Sequence, residues 1–249
     1  MNKTIFMFHA IGEVSKGDWA DPNYSYSKDK FKELLNKLGS VSSLYDSIDL
    51  SSNTKAIFTF DDGHESNYWA AKLLFNGGYG SADFFINPEL IGSDYYMDWS
   101  QIRELKSMGM SIQSHGLDHQ YLSSCSDHEL HRQLSKSKEI IENKINTSVT
   151  ILAPPGGRFD DRTIRLAKEI GYSCIANSIP GHFSNNNDFL FPRIAVMKDH
   201  TCSKLISLMN PYSPILYKQK IKYSMLKLFK IILGDTLYEK IRWKILGDN

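Results

Sequence analysis

Short apolar runs rich in Ile, Phe and Val alternate along this chain with stretches in which apolar residues recur every three or four positions. Ile5 to Phe8, Ala56 to Phe60, Ala82 to Ile86, Met110 to Gln113, Val149 to Leu152 and Ile194 to Val196 have the length of buried strands, and Ser173 to Ala176 is a weaker seventh. Phe31, Leu34, Leu35 and Leu38 fall at i, i+3, i+4 and i+7, one face of a helix, with Ser27 placed as its N-cap and Gly39 just past its end. Asp98 to Gln101 and Ser126 to Glu129 have the capping-box form or a close variant, so helices are expected to start there. Gly109 and Gly171 sit where C′ glycines belong, each directly before a strand. This rhythm of strand, helix and strand predicts parallel βαβ units, hence an α/β open sheet or barrel. No internal repeat or low-complexity segment interrupts it.

The pattern changes near residue 203. From there Lys and Arg outnumber Asp and Glu and are interleaved with Leu, Ile, Phe and Trp, as in Met225-Leu226-Lys227-Leu228-Phe229-Lys230 and Tyr238-Glu239-Lys240-Ile241-Arg242-Trp243. Two units are therefore expected, residues 1–202 and a basic amphipathic helical extension over 203–249. The extension reads either as a helix pair that covers the barrel or another subunit, or as an interfacial helix lying on an anionic membrane.

Composition narrows the field. Of 249 residues 41% are apolar and 23% charged, ordinary for a globular protein. A net charge of +1 gives no reason to expect a nucleic-acid partner. Cys125, Cys174 and Cys202 are odd in number and lack metal-type spacing, so they read as reduced thiols. Met1-Asn2-Lys3-Thr4 runs straight into an apolar run too short for a signal peptide. The expected location is the cytoplasm, with the C-terminus available for peripheral contact with the inner membrane.

The chemistry lies at the ends of strands. Thr59-Phe60-Asp61-Asp62-Gly63 places two adjacent carboxylates at the carboxyl end of one strand, and Ser114-His115-Gly116-Leu117-Asp118-His119 places two imidazoles four apart after another. Active sites of parallel α/β folds occupy that end. One carboxylate and two histidines make a metal site with open positions, and the second carboxylate is left to act as a base. Asp-Asp-Gly alone is also an ordinary turn, and His64, His128, His131 and His182 show that solvated histidines are common here. The two motifs gain weight because both end strands of the same sheet. A third loop, Ala153-Pro154-Pro155-Gly156-Gly157-Arg158, also follows a strand and can present backbone amides to an oxyanion.

Taken together, the Asp61-Asp62 motif, the His115–His119 motif and the Pro155-Gly156-Gly157 loop resemble the polysaccharide deacetylase family, the NodB-homology carbohydrate esterases, over roughly residues 1 to 200. Tyr96-Met97-Asp98-Trp99 resembles the segment before the family's histidine motif. The resemblance implies a distorted (β/α) barrel with fewer than eight complete units. It implies Asp61 as general base, Asp62, His115 and His119 as ligands of a divalent ion, zinc first among them, and hydrolysis of an N-acetyl group.

Two departures stand out. Ala153 occupies the place of an arginine that steadies the base in many members, and Arg193 is the candidate replacement. The family's late histidine motif is not evident. His9, after the first strand, resembles the early histidine of the branch that includes the biofilm poly-N-acetylglucosamine deacetylases, and it is the favoured general acid, with His200 and His182 behind it. Pro155, Gly156, Gly157 and Trp99 are expected on the substrate side.

The expected function is removal of an N-acyl group, acetyl above all, from an amino sugar or glycan precursor. The alternatives are an amidohydrolase acting on a non-carbohydrate amide or imide, and a catalytically silent sugar-binding protein.

Overall fold

The computed structural model describes residues 2–49, 54–183 and 188–225. Seven strands, β1 Thr4–Phe8, β2 Ala56–Phe60, β3 Asp83–Ile86, β4 Ser111–Ser114, β5 Ile151–Leu152, β6 Cys174–Asn177 and β7 Leu190–Ala195, alternate with helices α1 Lys28–Leu38, α2 Leu44–Asp49, α3 Ser66–Asn76, α4 Trp99–Ser107, α5 Asp127–Ile145, α6 Asp161–Ile170 and α7 Cys202–Leu208. The strands are all parallel and close into a barrel in chain order. β7 completes it by pairing with β1, Ile5 opposite Arg193. The fold is the distorted (β/α) barrel of fewer than eight units.

Strand residues point alternately to two cores. Phe6, Phe8, Phe58, Phe60, Phe84, Ile112, Leu152, Ile175 and Ile194 face the helices and join their apolar sides in the larger cluster. Ile5, Ile57, Phe85, Ile151, Cys174, Ala176 and Phe191 fill the lumen, capped from below by Leu44 of α2. This two-residue alternation decides which groups reach the site. Asp61 continues the lumenal series Ile57, Thr59, and Arg193 follows Phe191 in the same sense. His115 and His9 lie in the lumenal register of β4 and β1.

The element boundaries carry some corrections. β4 starts one residue later than its apolar run, and β5 is only two residues long because its pairing with β4 is confined to Ser114 opposite Leu152. β7 begins earlier, at Leu190, because Pro192 is accommodated in the strand opposite Asn177, although proline ordinarily argues against a strand. The Asp98–Gln101 capping box is complete. At Ser126 only half of it forms, since the Glu129 carboxylate accepts from Arg132 and Gln133 instead.

The boundary expected at 202/203 falls inside α7, whose Leu205 and Leu208 are buried in the main core, as is Leu216 beyond it. Residues 214–225 are helical. The rest of the basic extension lies outside the described residues. Cys125, Cys174 and Cys202 are free and buried. Among the described residues no helix is long and apolar enough to cross a membrane.

Candidate metal centre and active site

Beyond β2 the chain turns sharply. The Asp61 amide donates to Phe8 O at 2.9 Å, extending the β1 pairing by one residue. Asp62 then adopts φ +72° and Gly63 φ +76°, the left-handed region that costs a side chain energy. A Cβ on Gly63 would also meet Ile91 and Ile86 at 3.2 and 3.3 Å, so this turn requires glycine.

His115 follows β4 directly. Its Nδ1 lies 2.7 Å from the Ala153 carbonyl oxygen, which can only accept. Nδ1 therefore carries a proton, and Nε2 is turned toward Asp62. The loop to His119 is pinned from three sides. Asn87 Nδ2 donates to His115 O, Gln133 Oε1 accepts from the Leu117 amide while its Nε2 donates to Asp118, and Ser137 Oγ donates to Gly116 O. None of these supports stands out in the sequence, because Asn, Gln and Ser carry no spacing signal. His119 has φ +67° and is 40% exposed, whereas His115 is buried.

Nε2 of His115 and Nε2 of His119 stand 3.1 and 3.2 Å from Asp62 Oδ1. Neither contact has hydrogen-bond geometry, and Oδ1 is buried with no hydrogen-bond partner. Buried polar atoms are nearly always partnered. Three metal-type ligand atoms within 4.8 Å of one another, one of them orphaned, fit a shared divalent cation. Burial alone would raise the Asp62 pKa, but the two imidazoles beside it hold it well below the usual carboxylate range. For His119 burial opposes the charge, yet Asp62 outweighs it and raises the pKa.

Asp61 meets a different partner. Arg193 grips it with both nitrogens, Nη1 to Oδ1 at 2.6 Å and Nη2 to Oδ2 at 2.8 Å. Arg193 is fully buried, and its remaining donors reach Thr59 Oγ1 and Asn177 O. Burial pushes the Asp61 pKa up, but Arg193 and His115 outweigh it and hold it below the usual value.

His9 completes the group. A proton on its ring would favour the charged forms of both Asp61 and Asp62. Its ring packs on Tyr24 at 4.8 Å, and its Nδ1 is buried without a hydrogen-bond partner.

With this geometry in place, comparison with known proteins is informative. The family model for polysaccharide deacetylases matches residues 51–175, half of the chain. The chain belongs to the polysaccharide deacetylase family. It is 28% identical over 130 residues to YxkH, a provisional polysaccharide deacetylase of Bacillus subtilis, a segment covering 52% of this chain and 47% of that one. It is 28% identical over 129 residues to the peptidoglycan-N-acetylglucosamine deacetylase of Bacillus cereus, 51% of this chain and 58% of that one. The chain thus spans about half the length of these relatives. Among solved structures, the Streptococcus pyogenes deacetylase PplD in complex with acetate superposes with a TM-score of 0.77 at 24% identity, over 85% of this chain and 99% of that one, a likeness of fold.

Other expected site residues of this polysaccharide deacetylase family member fall elsewhere. His200 is buried with Met197 and Asp199 as neighbours, and burial lowers its pKa to about 4. His182 bonds Leu208 O. Neither joins the group of Asp61, Asp62, His115 and His119. His64, grouped above with the solvated histidines, is buried between Asp18 and Ser66.

Pro155 does pack against the histidine loop, 3.5 Å from where a Cβ on Gly116 would stand. Gly156 has φ +60°, and a Cβ there would fall 2.7 Å from the Tyr121 ring. The amides of Gly157 and Arg158 donate within the turn itself, to Pro154 O and Pro155 O, so those two are already committed. Trp99 packs on the outer core with the Lys144 ammonium 5.8 Å from its ring centroid. Its contacts are with the helical layer. The aromatic pair Tyr96 and Trp19 stands nearer the centre: Met97 N donates to Gly63 O, Tyr96 bridges His64, and the phenol of Tyr96 is raised in pKa by burial and by the charge of Asp62.

Proposed function

We propose that the protein is a metal-dependent hydrolase that removes an N-acyl group, acetyl above all, from an amino sugar or glycan precursor. The observation that carries this reading is the division of two adjacent aspartates. Asp62 is turned to two imidazoles with one oxygen orphaned, and Asp61 is clamped by Arg193 beside them. Pairs of carboxylates placed in unlike surroundings take unlike roles.

Asp62, His115 and His119 would hold the cation, zinc or another divalent ion, which supplies Lewis acidity to the amide carbonyl and acidifies a water. Asp61 remains ionised throughout the neutral range and takes a proton from the attacking water. Arg193 fixes its plane and keeps it charged. Water oxygen bonds to the acyl carbon, the C–N bond breaks, and the amine leaves with a proton delivered by His9. The products are a carboxylate and a free amino sugar. Gly156 and Pro155 wall the site beside the histidine loop.

The helix over 214–225 exposes Tyr217, Ile221 and Met225 at successive four-residue steps, with Lys218, Lys220 and Lys222 between them. This stripe supports peripheral contact with an anionic membrane surface, where a lipid-carried glycan precursor would be met.

Bound metal and amine release test the proposal together. The wild type is expected to carry near-stoichiometric divalent ion after incubation with zinc and to release free amine from N-acetylglucosamine oligomers. Asp62→Asn loses both. Asp61→Asn keeps the metal and loses hydrolysis by roughly a hundredfold to ten-thousandfold, the usual contribution of a general base. A wild type that binds no divalent ion and releases no amine would overturn the reading.

A further inference from the structure

His119 stands in a backbone conformation that a histidine seldom adopts. Its φ of +67° lies in the left-handed region, which a non-glycine residue keeps only where its surroundings over-determine it. The side chain is 40% exposed, so close packing of the ring does not supply that constraint. It comes from the chain that leads to it.

Every backbone polar group from His115 to Leu117 has a partner. The His115 amide donates to Ile86 O at 2.9 Å, continuing the β3–β4 pairing, and the Glu89 amide donates to Leu117 O at 3.1 Å. Asn87 Nδ2 donates to His115 O, and the Gly116 amide donates to Ser114 Oγ at 3.3 Å. The other two partners come from α5, at positions four apart on one face of the helix. Ser137 Oγ donates to Gly116 O and Gln133 Oε1 accepts from the Leu117 amide, both at 2.9 Å.

Gln133 reaches one residue nearer to His119 than the other supports do. It is fully buried, and its Nε2 donates to Asp118 Oδ1 at 2.7 Å and to Glu129 Oε1 at 2.9 Å. One side-chain amide thus holds the main chain of Leu117 and the side chain of Asp118, the two residues immediately before His119. The backbone N–H can only donate and the two carboxylates accept, so the amide has a single orientation, with its oxygen and both N–H groups engaged. An isosteric carboxylate could keep the first contact and neither of the others. A buried polar group satisfied in this way holds its neighbours in one arrangement.

We propose that Gln133 is a positioning residue of the cation site: it fixes the backbone that turns His119 toward Asp62, and so sets the affinity for the divalent ion. This rests on the reading of Asp62, His115 and His119 as ligands. It adds that His119 is held ready by α5, a helix that contributes no ligand itself. Groups that orient metal ligands from behind typically account for roughly tenfold to a hundredfold in metal affinity.

The test uses the purified full chain, cleared of metal with a chelator and titrated with cobalt(II), then with zinc in competition. The variants are Gln133→Met, Gln133→Glu and, as a control, Ile141→Val. Gln133→Met keeps the length of the side chain and removes all three contacts. Gln133→Glu keeps an acceptor for the Leu117 amide and sets a further carboxylate against Asp118 and Glu129. Both are expected to bind either ion roughly tenfold to a hundredfold more weakly and to shift the visible absorption bands of bound cobalt, which follow the ligand arrangement. Adding Asp118→Asn to Gln133→Glu recovers part of the affinity, because an amide at position 118 donates where the carboxylate repelled. Ile141, fully buried in the same helix, touches the core and not the loop. Ile141→Val lowers stability to urea and leaves cobalt affinity and spectrum unchanged. Urea unfolding of each metal-free variant reports whether the fold is kept.

Wild-type affinity and spectrum in both Gln133 variants overturn the positioning role and leave the cation site intact. Equal losses in Ile141→Val and the Gln133 variants do the same, since stability alone then explains them. A wild type that takes up neither ion overturns the ligand reading itself, and the positioning role with it. Binding that weakens as expected in the Gln133 variants, with no amine release by the wild type, keeps the positioning role and removes the hydrolase reading.

Discussion

Asp61 and Asp62 are neighbours in the chain and both are buried, yet they face partners of different kinds. Two carboxylates so close cannot ionise independently unless each has its own compensating charge. Arg193 provides that for Asp61 through two parallel hydrogen bonds, the geometry in which arginine and lysine are not equivalent. Removing the guanidinium leaves a buried carboxylate uncompensated. Arg193→Met is therefore expected to lower stability by about 3–5 kcal/mol in urea unfolding. It also raises the pKa of Asp61, since Arg193 holds it down. Asp61 then stays protonated to higher pH, and the acid limb of the kcat/KM profile moves up in pH. Arg193→Lys keeps a charge but only one contact and falls between the two. An unshifted acid limb in Arg193→Met would remove Asp61 from the role of base.

At this scale the sequence was legible where chemistry is concentrated in a motif. Asp61, Asp62, His115 and His119 can be picked out because rare residue types recur at fixed offsets after apolar runs. Arg193 could be named only as a replacement for the arginine missing at Ala153. The supports Asn87, Gln133 and Ser137 carry no such mark, since only the folded loop brings them to it.

Each helix and strand owes its place to packing, while the loops own the site. Buried parallel strands read as continuous apolar runs whether the sheet is open or closed. Closure therefore cannot be read from β1 or β7 alone; it becomes visible in the pairing of Ile5 with Arg193. Short β5 and proline-bearing β7 depart most from the pattern, because the run over 149–152 begins before the first ladder pair in one and apolar character is interrupted at Pro192 and Arg193 in the other.

The helix over 214–225 has a prediction of its own. The full chain is expected to sediment with vesicles containing phosphatidylglycerol and less with neutral phosphatidylcholine vesicles, with the difference shrinking as salt rises. Replacing Tyr217, Ile221 and Met225 together by Ser should abolish it. Recovery of the wild type in the supernatant with both lipids would exclude the membrane contact.

For the molecule as a whole, two buried groups remote from one another respond to pH in opposite senses. Asp83, fully buried where it accepts from the amides of Leu44 and Tyr45, has its pKa raised to about 7 by burial. Between about pH 4 and 7 the unfolded chain gives up this proton and the folded chain keeps it, so stability falls as pH rises. His200 has its pKa lowered to about 4, by burial and then by Lys204. As pH falls from about 6.5 to 4 the unfolded chain takes up a proton that the folded chain refuses, and stability falls with it. Each effect is on the order of 3 kcal/mol at full extent. Urea unfolding across this range should show the stability of Asp83→Asn relative to wild type growing with rising pH. His200→Gln should gain on wild type as pH falls. Differences that stay constant with pH would contradict the assignments.

The closure of the barrel by its last strand has a consequence for the newborn protein. Chains grow from the amino end, so Asp61, Asp62, His115 and His119 leave the ribosome before Arg193 does. On the roles proposed above, a nascent chain would hold every residue of its cation site while Asp61 still lacks its guanidinium. Hydrolytic competence would then wait until β7 has been made and seated beside β1. An unfinished chain would carry the carboxylates and imidazoles of the site without the group that orients Asp61.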